Sequence, residues 1–183
     1  MRTIVLRNGL LAGAIMAAAF AITLPFHDDL GSGWGMAVGY TSMVCAFLLV
    51  WTGVRRDRDA NGGSVGFGRA FAVGMAIVLV ASLVYVIAWD VIYRNWMPDF
   101  IERYQAAQLE KARAGGATAA QLAAQRAEMA TFAAQYRNPL FRAAITLLEP
   151  LPVGLLIALV TAAVHRRRDG GSAPALAGAG ATT

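Results

Sequence analysis

The chain has 183 residues, 57% of them hydrophobic and 15% charged, with a mean hydropathy of +0.52. A soluble domain carries roughly 25% charged residues, so this composition excludes an ordinary globular protein and points to a bilayer as the solvent. The net charge of +5 and pI near 10.0 do not signal nucleic acid. The basic residues flank apolar segments as topology signals and do not cover a charged, soluble face.

Uncharged runs cover residues 8–26, 30–54, 70–89 and 150–164. The first three reach the roughly 17–25 residues that a spanning helix needs. The fourth has 15 residues, so it crosses only if residues 140–148, ahead of Glu149, also lie at membrane depth. The expected spans are 5–26, 34–54, 69–93 and 140–164, within one transmembrane domain over 1–168.

In the first span Arg2 and Arg7 precede an apolar stretch and Ala19-Phe20-Ala21, a pattern that also fits a cleavable signal peptide. The run is long for that, and Gly9, Gly13 and Ala17 form a small-xxx-small stripe suited to close helix packing. Similar stripes occur at Gly31, Gly35, Gly39 and at Gly66, Ala70, Gly74, which together favour a compact bundle. The single cysteine, Cys45, forms no intrachain disulfide and reads as a small core residue.

Arginine placement sets the orientation. Arg2 and Arg7 precede the first span, Arg55, Arg56, Arg58 and Arg69 lie between the second and third, and Arg166, Arg167 and Arg168 follow the fourth. The loop HDDLGSG (27–33) carries Asp28 and Asp29 and no basic residue. Four spans put both termini in the cytoplasm of a cell inner membrane. The segment 97–137 then lies outside as a helical hairpin broken at Gly115-Gly116, with Thr118 and Gln121 restarting the helix as a capping box. Leu122, Met129, Phe132 and Tyr136 give its second helix one apolar face. The Gly/Ala-rich tail, 169–183, lacks periodicity and is expected to be a disordered cytoplasmic segment.

The order of GLLAG, VGYTSMVCAFLLVWTGVRRDRDANGG, SVGFGRAFAVG, SLVYVIAWDVIYRNWMPDF and NPLFRAAITLLEPLPVGLLIALVTAAV resembles a bacterial family of small four-span membrane proteins, described as a domain of unknown function. The resemblance runs over about residues 5–168 and implies an all-α, four-helix transmembrane bundle, without supplying an activity. The hairpin departs from the family pattern in being alanine-rich where the family is strongly charged.

The stretch TLLEPLPVGLL (146–156) puts Glu149 inside an apolar run. Glu149 is 15 residues from Val164, about 22 Å at 1.5 Å per residue, in the outer half of the hydrocarbon core. An ionised carboxylate facing lipid there costs roughly 2.5–3.5 kcal/mol even on a lenient scale. Helical spacing predicts a polar stripe of Arg142, Thr146 and Glu149 pointing inward. Pro150 and Pro152 remove donors and free the carbonyls of Thr146 and Leu148. Asp90 is expected at the same outer level as Glu149, with Arg94 one turn on and Trp89, Tyr93 and Trp96 marking the interface.

Two readings follow. One is a proton or cation site made of Glu149, Asp90, Thr146 and freed carbonyls; the other pairs Asp90 or Glu149 with Arg142 or Arg94 to fix helix register.

The remaining motifs carry less. The G-x-G of VGFGRAFAVG lacks the GK[ST] of a phosphate loop and reads as a turn into the third helix. His27 with Asp28 and Asp29 reads as a solvated turn. His165 in HRRRD is expected to snorkel at the cytoplasmic face as part of a stop-transfer flank, with lipid head groups as an alternative contact. Ser42 and Ser82 lie in helices and are expected to bond their own backbone. No Cys–His pair, H-x-x-x-H or serine beside a membrane histidine is present, so no enzyme, catalytic residue, metal or cofactor is expected. The expected function is that of a non-enzymatic bundle in the lipid bilayer acting by association, with another membrane protein, with a second copy of the chain, or with an outer partner through the hairpin of residues 99–137. The alternative is a proton- or ion-responsive carrier or sensor using Glu149.

Overall fold

A computed structural model describes residues 1–23 and 31–166, with side chains in the second helix from Ala37 onward. The turn at His27, Asp28 and Asp29, the arginines Arg167 and Arg168, and the tail 169–183 lie outside the described residues. The helices are α1 (Arg2–Thr23), α2 (Gly31–Ala60), α3 (Phe67–Asn95), α4 (Phe100–Ala114), α5 (Ala119–Tyr136), α6 (Pro139–Leu148) and α7 (Pro150–His165). Arg2–Thr23, Ala37–Ala60, Phe67–Asn95 and Pro139–His165 are each long and apolar enough to cross a membrane. The fold is an all-α transmembrane bundle, and α3 is its central helix, touching α1, α2, α6 and α7.

The buried positions follow rows spaced by four residues, the ridges along which helices pack at an inclined crossing. On α3 these rows are Ala70, Gly74, Val78, Ser82 and Val73, Ile77, Ala81, Tyr85, Trp89. On the fourth span the row is Arg142, Thr146, Pro150, Gly154, Ala158 and Ala162. Small residues let the ridges approach closely. A Cβ at Gly9 would stand 2.6 Å from Val80 Cβ, and one at Gly154 would run into Val78 and Phe47. Gly74 lies against Ala158 and Val50.

Of the expected second-segment stripe, Gly31 and Gly35 lie outside the residues whose side-chain surroundings are described, and Gly39 is not at a packing face, because nothing lies within 4 Å of a Cβ built there. Of the third stripe Ala70 and Gly74 are buried, while Gly66 is open. Gly53, which the stripes passed over, packs closely, a Cβ there meeting Ile77 and Asn8. Cys45 is exposed on the flank of α2 instead of buried, because the core row of that helix runs through Met43, Ala46, Phe47, Val50 and Val54.

One end of the bundle is closed by polar contacts. Asp57, 2% exposed at its side chain, takes a two-pronged bond from Arg69, with Nε to Oδ2 at 2.8 Å and Nη2 to Oδ1 at 3.2 Å, tying the end of α2 to the start of α3. His165 does not snorkel. It is 6% exposed, bonded through Nδ1 to the Thr161 carbonyl at 3.0 Å, and set edge-on to Trp51 at 4.2 Å. As a one-turn continuation of the Thr161 and Ala162 row, it is carried inward by the ridge.

At the other end α4 and α5 form the expected hairpin. The chain leaves α4 through Gly116 in the left-handed region (φ 83°), with Gly116 N–H bonding Arg113 and Ala117 N–H bonding Ala112, the double closure of a Schellman turn. Both halves of the Thr118/Gln121 capping box are present. Gln105 donates to the Met129 carbonyl at 2.6 Å, and Phe132 packs edge-on against Phe141 of α6, so the hairpin sits on the ends of the spans.

Candidate functional site

Arg142 and Asp90 meet at the hairpin end. Asp90 is 23 residues beyond Phe67 and Arg142 is 23 residues short of His165, so each lies roughly 35 Å along its span, which explains why the two groups are level. Arg142, 4% exposed at its side chain, donates through Nε at 3.0 Å and through Nη2 to Asp90 Oδ1. Its Nη1 donates to the Tyr136 carbonyl at 3.1 Å, and its guanidinium lies 4.5 Å from the centre of the Tyr93 ring. Arg94 holds the other oxygen of Asp90 at 2.9 Å. Of the two expected ion-pair arrangements, the pairing of Asp90 with both arginines is the one formed.

Tyr136, at the foot of α5, joins this layer to the hairpin. Its hydroxyl accepts from Trp89 Nε1 at 2.7 Å, and its ring packs edge-on against Tyr93. Burial pushes the Tyr136 hydroxyl above its ordinary value, against the opposing hydrogen bonds of Trp89 and Thr146. Trp89 also takes Phe20 and Phe100 edge-on at 5.0 and 4.9 Å, bringing α1 and α4 into the same layer. Arg142 and Thr146 were legible as inward-facing positions. Tyr136 and Trp89 were legible only as hairpin and interface residues, and their bond was not.

Glu149 stands apart. Arg142 and Thr146 are buried, but Glu149 is exposed on the flank of the bundle, so the expected three-residue stripe breaks after Thr146. The cause is the four-residue ridge: it passes from Thr146 to Pro150, and Glu149, three residues on from Thr146, falls to one side. The acid is 16 residues from His165, roughly 24 Å along the span. It therefore lies about 10 Å below Asp90, whose level it was expected to share, and within reach of Tyr85 on α3. The Tyr85 hydroxyl donates to Glu149 Oε2 at 3.1 Å.

The prolines divide α6 from α7 at Glu149, whose own backbone, at φ −71°, ψ −55°, remains helical. Pro150 occupies the first helical position of α7, where its missing N–H costs least. The Thr146 carbonyl is not free; it accepts from the Glu149 N–H at 3.4 Å. The expected cation site of Glu149, Asp90, Thr146 and freed carbonyls is therefore not assembled. Two separate features stand in its place: a closed ion-pair layer and a flank acid. Ser42 bonds the Gly39 carbonyl as expected, at 2.7 Å, whereas the Ser82 hydroxyl is fully buried without a hydrogen-bond partner among the described residues.

Among the described residues no group of three or more His, Cys, Asp and Glu side chains stands together. No curated protein and no solved structure matches the chain. The four-span order carried by the motifs is nevertheless that of a known group: with residues 7–167 matched, the chain belongs to the family described as Protein of unknown function (DUF4199).

Proposed function

We propose that this protein is a non-enzymatic membrane protein that acts by association within the bilayer, with a second copy of itself or with another membrane protein. The observation that supports it is Glu149. A carboxylate offers about four acceptor positions, and Tyr85 supplies one donor. Arg142 is committed to Asp90, the Tyr136 carbonyl and the Tyr93 ring. An acid at that depth is expensive when it faces lipid, and a neighbouring helix bringing a donor to the flank satisfies it. In this reading the arginine-rich end and both termini lie in the cytoplasm, the α4–α5 hairpin lies outside, and the membrane is the cell inner membrane.

The second reading, a proton- or ion-responsive carrier or sensor, draws on the same acid. Its carboxyl has a single neutral donor, Tyr85, on an apolar flank, which leaves acceptor positions for a proton or a cation. Crosslinking through a cysteine placed at Leu148, in a Cys45→Ser background, separates the two. Association requires a captured neighbour that is lost in Glu149→Leu. The carrier reading requires a chain without neighbours whose proton-dependent behaviour disappears in Glu149→Gln. Absence of both results removes both readings.

A further inference from the structure

The arginine-rich end holds more positive charge than its own acids neutralise. Seven described arginines lie there, Arg2, Arg7, Arg55, Arg56, Arg58, Arg69 and Arg166. Asp57 is taken by Arg69, and Asp59 is shared between Arg55 and Arg58. Arg2, Arg7, Arg56 and Arg166 have no carboxylate within ion-pair distance among the described residues. Arg56 differs from the other three in being drawn to a built polar contact between two helices. Asn8 of α1, 1% exposed, anchors its amide on the Ile4 carbonyl at 2.8 Å. The Thr52 hydroxyl has one hydrogen and two acceptors in reach, the Leu49 carbonyl at 3.1 Å and Asn8 Oδ1 at 3.3 Å, and Arg56 Nη1 donates to the same Oδ1 at 3.4 Å. Both contacts to Asn8 are longer than the usual hydrogen-bond range, and a neutral amide leaves the guanidinium charge unmatched.

We propose that the junction of α1 and α2 at Asn8, Thr52 and Arg56 binds the phosphate head group of an anionic glycerophospholipid. Arg56 supplies the planar donor fork that suits a phosphate, and Thr52 supplies a hydroxyl beside it. Asn8 holds Arg56 in place from below. Depth favours a lipid over a soluble anion. Asn8 is six residues into α1 and Arg56 four residues from the end of α2, roughly 6–9 Å from the helix ends, which is head-group level. Toward the bilayer centre the same two helices present Leu11, 49% exposed, and Leu48, 60% exposed. These lie one turn from Asn8 and Thr52 on matching faces, a track for an acyl chain. The site is independent of Glu149 and of which side of the membrane the arginine-rich end occupies.

Native mass spectrometry of the full chain released from nanodiscs, with phosphatidylglycerol and phosphatidylcholine in equal amounts, tests it. At least tenfold preferential retention of phosphatidylglycerol is expected. Arg56→Gln should cut that retention at least fivefold and Arg166→Gln less than twofold, with phosphatidylcholine unchanged in both. Equal losses in the two variants would mean diffuse attraction without a site, and equal retention of the two lipids would mean no head-group selectivity; either overturns the proposal. Displacement of the lipid by millimolar inorganic phosphate also overturns it, by making a free anion the ligand. Thr52→Val, a shape-conserving change, should lower retention without altering thermal unfolding in phosphatidylcholine alone.

Discussion

Arg142 and Glu149 stand seven residues apart on one helical path, and their surroundings are opposite. Arg142 is buried with two hydrogen-bonding partners and an aromatic face, while Glu149 is exposed with one donor from a tyrosine. The difference comes from geometry. The packed ridge advances in steps of four, so a seven-residue spacing that looks like one face in the sequence is one residue off the ridge at its far end. A charge on the ridge is folded into a closed network; a charge beside it is left for the surroundings to satisfy.

The largest effect is expected from breaking the closed network on its exposed side. Asp90→Ala leaves Arg142 buried without a counter-charge, and removing one partner of a buried pair costs about 3–5 kcal/mol. The reverse change, Arg142→Met, should cost less, because Asp90 keeps Arg94 at 2.9 Å and is 32% exposed at its side chain. Denaturation in bicelles should rank the two in that order, and the opposite order would mean that Arg142 is held mainly by the Tyr136 carbonyl and the Tyr93 ring.

Tyr136→Phe comes next. It removes the acceptor of the buried Trp89 N–H, and an orphaned buried donor costs about 1–3 kcal/mol. Because Tyr136 ends α5, the loss should appear both in global unfolding and in faster hydrogen exchange along α5. A loss confined to the bundle, with α5 unaffected, would show that the hairpin is fixed by Phe132 and Phe141 instead.

Glu149→Gln is expected to change the stability of the isolated chain by less than about 1 kcal/mol, the scale of one net hydrogen bond, since Gln can still accept from Tyr85. A loss as large as that of Asp90→Ala would erase the contrast between the two sites. It would make Glu149 part of the closed network.

The sequence read most of the architecture, because the signals involved are local. Uncharged length locates the spans, Thr118 and Gln121 restart α5, and the Arg142–Thr146 step of four is already a ridge step. The three-dimensional pairings were less legible. Asp90 with Arg142 was one of the expected pairings, since two antiparallel spans of equal reach bring the two groups level, but nothing near Trp89 in the chain points to Tyr136. His165, Cys45 and Gly39 were misread for one shared reason: flanking charge, uncharged context or glycine spacing was taken as direction, whereas the crossing of the helices decides which row faces in.

The smallest effect belongs to an Asp–Arg pair of ordinary geometry outside the spans. Asp99 precedes α4 and takes a 2.8 Å bond from Arg103 Nε, both side chains more than half exposed. The Arg103 guanidinium holds the Asp99 carboxyl below its ordinary value of 3.8. A depressed carboxyl contributes stability above its unfolded value and loses it as pH falls through the folded one. Acidification below about 3.8 should therefore loosen only the first turn of α4, seen as faster amide exchange at Glu102 and Arg103, with the global transition unmoved. Asp99→Asn should remove that pH dependence. The pairs Asp99–Arg103 and Asp90–Arg142 use the same two groups at similar distances, so a global shift from the exposed pair would show that ion pairing itself, and not burial at the membrane end of α3, gives the Arg142 layer its weight.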